Sequence, residues 1–162
     1  MILSTHAIVG GAVASLMPSH PFLVAIAGFA SHFAIDAIPH WDYPLQPISV
    51  KRGADNRRQL IIDRPLLFDA TLISLDACAG LTMAAWLFAT PTTIGVIVLG
   101  AIAAMAPDPL RFAQKLYPRE PLNSLQHFHR WMHAGQKLTW PIGVSSQVIF
   151  AATIAAIAMR LS

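Results

Sequence analysis

The sequence has a single cysteine, Cys78, set inside an apolar run. An intrachain disulfide is excluded and a thiolate zinc site cannot be built, so any metal must be held by histidine and carboxylate. Charge is scarce too: Asp, Glu, Lys and Arg make up 12% of 162 residues and 55% are hydrophobic, against about 25% charged residues in an ordinary soluble domain. That balance argues for an integral membrane protein. The net charge of +3 sits in two polar stretches rather than on an aromatic-studded face, which leaves nucleic-acid binding without support. The first residues lack the basic stretch and cleavage site of a secretory signal, so the first apolar segment is expected to stay in the mature protein. No glycine-rich loop follows a strand, and Gly10, Gly11 and Gly28 read as points of close helix approach rather than a phosphate cradle.

What is present is a series of apolar segments at residues 2–17, 22–38, 66–89, 94–105 and 141–161. Pro18 and Pro21 break the first from the second, Pro91 the third from the fourth, and Pro107 and Pro109 end the fourth. The expectation is one all-α domain over residues 1–162, a polytopic membrane bundle of about five helices arranged as two hairpins plus a C-terminal helix. The first two segments are short beside the roughly 17 to 25 residues of a spanning helix, so the first is expected to be re-entrant or shielded by its neighbours. Polar loops are expected at about 42–65 and 111–139. Both are basic, and both lie on one side because segments three and four form a hairpin; the positive-inside rule puts them, with the N-terminus, in the cytoplasm of a bacterial-type inner membrane. Trp41, Tyr43 and Trp140 fall at the same interface.

On this topology His6, His32, Asp36, His40, Asp42, Asp63, Asp69 and Asp108 share one membrane level with His127, His129 and His133 of the second loop. His20 falls on the other side, Asp55 is read as solvated, and Asp76 lies about 10 Å deeper than Asp69. Ionisable groups within membrane helices are costly, so such a gathering is a functional candidate. His32 and Asp36 stand at i and i+4 on one helical face, and His129 and His133 repeat the spacing. Imidazole and carboxylate suit zinc first, then manganese or iron. Plainer readings stand beside this one. The His32 and Asp36 pair can be a hydrogen-bonded brace, the second loop a surface amphipathic helix with His127 a bystander, Asp42 a turn cap, Asp63 an ion-pair partner of Arg64, and Asp76 a buried polar contact or a proton relay.

The combination of Thr5-His6 with Gly10, the run from Gly28 to Asp36, Pro107-Asp108 and the His129-Arg130-Trp131-Met132-His133 element resembles the YdjM-like inner-membrane proteins. These are regarded as metal-dependent hydrolases with a distant likeness to zinc-dependent phospholipase C. Carried over motif by motif, the resemblance implies His6, His32, Asp36, Asp108, His129 and His133 as ligands of one or two divalent ions. The motif order is permuted here, and Met132 stands where the family has Thr. The stretch Ser31 to Tyr43 is also similar to small bacterial membrane proteins that share SHFxxDxxPHWDY and imply no activity.

The resulting expectation is a membrane-embedded hydrolase of a phosphoester or lipid-linked substrate, with Asp69 or Asp63 as general base and Arg130 or Arg64 neutralising phosphate. The alternatives are a proton or metal-ion transport module using Asp69 and Asp76, and a structural protein with a buried polar cluster.

Overall fold

Proline sets most of the helix boundaries. In the computed structural model, which describes residues 1–53 and 58–162, helix α1 (Leu3–Leu16) ends just before Pro18, and α2 (Pro21–Asp36) begins on Pro21, where a missing N–H costs nothing. Asp63 caps α3 (Arg64–Phe88) by accepting the Leu66 N–H at 3.0 Å, with Pro65 in the first turn. Helix α4 (Ile94–Met105) meets α5 (Pro107–Leu116) at a bend of 51°, placed where Pro107 cannot continue the backbone ladder. Helices α6 (Leu122–Met132) and α7 (Trp140–Leu161) bring the described residues to seven helices, where about five were expected.

Two expectations are corrected. The stretch at 111–139, read as a loop, contains most of α5 and all of α6; the stretch at 42–65 contains an antiparallel pair, β1 (Val50–Arg52) with β2 (Arg58–Leu60). Helices α5 and α6 are amphipathic, so their polar residues hide them from a search for apolar runs. Asp55 and Arg57 lie outside the described residues.

Helix α1 is the hub and packs against α2, α3, α4 and α7. At 14 residues it is about 21 Å long, short of the roughly 30 Å hydrocarbon core, and it is shielded by those neighbours, with His6, Ala7 and Ala14 fully buried. Close approach is set by glycine. A Cβ on Gly28 would lie 2.8 Å from the Gly100 carbonyl oxygen and one on Gly100 2.8 Å from the Ala14 Cβ, while Gly10 and Gly100 face each other backbone to backbone. Gly100→Val is therefore expected to lower stability by about 1–3 kcal/mol, read as an earlier thermal unfolding transition in detergent. Gly100 lies one turn before Ala104, whose carbonyl meets His32 Nδ1 at 2.8 Å, so the same variant is expected to disturb His32.

The buried N-terminus of α1 has no capping side chain of its own, and distant elements satisfy its N–H groups. Ile2 N–H donates to Gln147 Oε1 at 2.9 Å, Leu3 N–H to the Tyr43 hydroxyl at 3.3 Å and Ser4 N–H to Asp76 Oδ2 at 2.9 Å. Tyr43 in turn donates to Asp76. The outer faces of α3 and α7 carry exposed Phe68, Leu75, Trp86, Ile142 and Ile149. Both helices are long and apolar enough to cross a membrane, and the bent α4–α5 pair adds a third span if counted as one.

Candidate metal centre

The end of α2 is where distant parts of the chain meet. Ala134 N–H donates to the Asp36 carbonyl at 2.8 Å and Leu138 N–H to the His40 carbonyl at 3.0 Å, stitching the α6–α7 connection onto the end of α2. Gln126 Nε2 reaches the Pro107 carbonyl at 3.3 Å and so ties α6 to the turn that carries Asp108. Phe33 packs edge-on against the rings of His32, Phe128 and His129, with centroids 5.4, 5.0 and 5.5 Å away.

These contacts gather five imidazoles around one carboxylate. The Nε2 atoms of His6 and His40 lie 3.2 and 3.9 Å from Asp36 Oδ1, and those of His32, His129 and His133 lie 3.3, 3.1 and 3.9 Å from Asp36 Oδ2. Asp108 Oδ1 is 3.8 Å from His32 Nε2 and 3.9 Å from His129 Nε2, and Asp42 Oδ1 is 2.9 Å from His40 Nε2. The Met1 nitrogen also touches Asp36, His40 and Asp42. His6, His32, Asp36, His40 and His129 are buried. Three overlapping groups, His6 with His32 and Asp36, His32 with Asp108 and His129, and Asp36 with His40 and His133, are close enough to hold a metal ion.

Proton placement separates a metal-ready cluster from a brace. His32 Nδ1 sits 2.8 Å from the Ala104 carbonyl and His40 Nδ1 2.6 Å from the Ile38 carbonyl. A carbonyl only accepts, so in the neutral ring the proton is on Nδ1 and the Nε2 lone pair faces the cluster, where that of His40 meets the Met1 nitrogen at 2.8 Å. A carbonyl on the far nitrogen is also the usual companion of a metal-ligating histidine. The Nε2 atoms of His32 and His129 stand 3.2 Å apart, and with Asp36 Oδ2 they make a triangle of edges 3.1 to 3.3 Å. A tetrahedral ion with bonds of about 2.0–2.1 Å needs ligands about 3.3 Å apart. His6, stacked on His32 at 4.0 Å, has no hydrogen-bond partner for either ring nitrogen although it is fully buried. Such an orphan is expensive without a ligand to bind. With neutral rings these lone pairs are free for an ion; with protonated rings the same contacts brace the Asp36 carboxylate.

Outside the apolar helices, burial lowers the His133 imidazole pKa despite the opposing pull of Asp36 and Asp42, which favours the neutral, ligating form. Burial acts to raise Asp42, but the adjacent His40 imidazole and the Met1 nitrogen outweigh it and hold the carboxyl well below its usual range. Burial, helped by Asp76, pushes the Tyr43 phenol up, so it stays protonated and donates to Asp76.

All six residues that the resemblance implies as ligands, His6, His32, Asp36, Asp108, His129 and His133, meet in this cluster. The three residues given catalytic roles do not. Asp63 is exposed and spent on capping α3. Asp69 is buried and accepts the Gln46 N–H at 2.7 Å, which fixes the loop after α2. Arg130 is exposed and its guanidinium lies 3.2 Å from His127 Nδ1. Sequence reasoning did not include His40 and Asp42 among the ligands. The signal was there for His40, which continues the four-residue spacing from His32 through Asp36. For Asp42 there was none beyond proximity.

Fold and site together define an all-helical protein with two or three segments able to span a membrane and a buried His/Asp cluster able to hold a metal ion. No family model, curated protein or solved structure matches the chain.

Proposed function

We propose that this protein is a polytopic, membrane-embedded, metal-dependent hydrolase that cleaves a phosphoester, carried on a lipid, at the cytoplasmic face of a bacterial-type inner membrane. The observation that carries the reading is the convergence of the His32, His129 and Asp36 ligand atoms at spacings of 3.1 to 3.3 Å, with buried His6 unpartnered beside them. The resemblance to the YdjM-like proteins points the same way. Zinc is the first choice of ion for this ligand set, manganese or iron next. A divalent ion there supplies activation of water near neutral pH and neutralisation of charge on a phosphoryl oxygen.

Asp108, 34% exposed on its side chain, is the cluster carboxylate most open to solvent. It would hold the ion with one oxygen and take the proton of the attacking water with the other. Lys137, whose Nζ lies 3.3 Å from Asp42 Oδ2, takes over the phosphate-neutralising role expected of Arg130. An apolar groove of about 730 Å³ lined by Phe29, Phe33, Ala103, Phe128 and Met132 runs beside the cluster; with Phe33 edge-on to His129, its size and lining suit an acyl chain whose headgroup reaches the site. Basic residues at this end, among them Lys51, Arg58, Arg64, Arg111 and Lys115, support the cytoplasmic placement. The transport alternative has less support, because Asp69 and Asp76 both already accept backbone N–H groups.

Protein loaded with zinc or manganese is expected to release phosphate or a phosphorylated headgroup from phosphoester lipids in mixed micelles. Chelator should abolish the activity, and Asp108→Asn should slow it by about 100-fold or more. Metal-loaded, folded protein that cleaves no phosphoester in such a screen would sink the hydrolase reading.

A further inference from the structure

We infer that the centre holds two divalent ions, one on each oxygen of Asp36, and that His40 and Asp42 complete the second position; the inference rests on the metal reading above. The ligand atoms divide by the oxygen they face. His32, His129 and Asp108 gather at Oδ2. At Oδ1 stand His6 at 3.2 Å and His40 at 3.9 Å, with Asp42 Oδ1 2.9 Å from the His40 nitrogen. His133 Nε2 spans the two sets, 3.9 Å from Asp36 Oδ2 and 3.5 Å from Asp42 Oδ2. A carboxylate with imidazoles on both oxygens has the form of a bridge, and bridged two-metal sites hold their ions about 3.5–4 Å apart.

Two features mark the Oδ1 side. His6 is fully buried and neither ring nitrogen has a hydrogen-bond partner, so its Nε2 is aimed at Asp36 Oδ1 with nothing else to bind. His40 has its Nδ1 fixed on the Ile38 carbonyl at 2.6 Å, which in the neutral ring leaves the Nε2 lone pair to an ion or to the Met1 nitrogen 2.8 Å away. Charge argues likewise. Asp36, Asp42 and Asp108 carry three negative charges in one cluster, so a single divalent ion leaves one charge to be balanced by another cation. The other cations in reach are Lys137, which is 67% exposed and correspondingly weak, and the Met1 nitrogen, which lies 3.0 Å from Asp36 Oδ1, 2.8 Å from His40 Nε2 and 2.9 Å from Asp42 Oδ1. That nitrogen, as ligand or as rival cation, is what a second ion must share the position with.

The full-length protein, stripped by chelator and reloaded with manganese(II), provides the test. Equilibrium dialysis is expected to give two ions per chain, and electron paramagnetic resonance the hyperfine lines of a coupled pair, at half the spacing of an isolated ion. Asp42→Asn and His40→Ala, each checked by thermal melting, are expected to keep one uncoupled ion. One ion in the parent overturns the inference, assigns the Oδ1 side to the Met1 nitrogen and leaves the hydrolase reading standing. Two ions retained in both folded variants overturn the placement on His40 and Asp42. Manganese-free parent protein overturns this inference and the metal reading with it.

Discussion

Asp36→Asn is expected to weaken metal binding by at least 100-fold while the protein stays folded. The asparagine has the shape of the aspartate, and its amide can donate to imidazole nitrogens that now face the carboxylate, so the local packing has little reason to collapse. The backbone link from Ala134 N–H to the residue 36 carbonyl is untouched. What disappears is the one anionic group that all five imidazoles approach within 3.1 to 3.9 Å. Removing a residue that merely orients a ligand costs about 10 to 100-fold in affinity, and Asp36 would be a ligand itself. Competition with a chromophoric chelator reads the affinity, and thermal melting reads the fold. Affinity within a few-fold of the parent would mean that the ion, if bound, lies elsewhere.

The second large effect is structural. Asp76→Leu is expected to lower stability by about 3 kcal/mol or more, because Asp76 accepts from the Ser4 N–H and from Tyr43, and charge-assisted hydrogen bonds contribute about 1.5–3 kcal/mol each. It also places a negative charge at the N-terminus of α1, where the helix dipole favours one. Asp76→Asn keeps an acceptor and should cost less. The consequence reaches the site, since α1 carries His6 one turn further on and Tyr43 follows the segment with His40 and Asp42. Reduced thermal stability with metal content recovered on reloading is the expected pattern. Unchanged stability accompanied by lost ion flux in proteoliposomes would instead revive a transport role for Asp76.

The legible parts of the molecule are those in which neighbours in sequence are neighbours in space. Apolar runs punctuated by proline gave α3, α4 and α7 to within a residue or two, and the four-residue spacings of His32 with Asp36 and of His129 with His133 marked faces that do meet. Helices α5 and α6 escaped because hydropathy averages their two faces to a polar mean, although a moment at helical period would have exposed them. The contact between Asp36 and His129 spans 93 residues, and no local pattern encodes it; only the shared membrane level suggested it. Asp63, Asp69 and Asp76 illustrate the opposite difficulty. Each is an acidic residue near the right level, yet one caps its own helix, one fixes a loop and one caps a different helix. Composition cannot tell these uses from catalysis, whereas the Asp63-Arg64-Pro65 sequence did carry a helix-start signal.

The most direct test of the account is elemental analysis of detergent-purified protein beside His32→Ala and His133→Ala, all confirmed folded and prepared without added metal. Near-stoichiometric zinc, manganese or iron in the parent and its loss in both variants is the predicted result, since His32 in α2 and His133 after α6 then serve one centre. Folded parent protein that remains metal-free even after repletion would contradict it, and the cluster would have to be read as a polar brace.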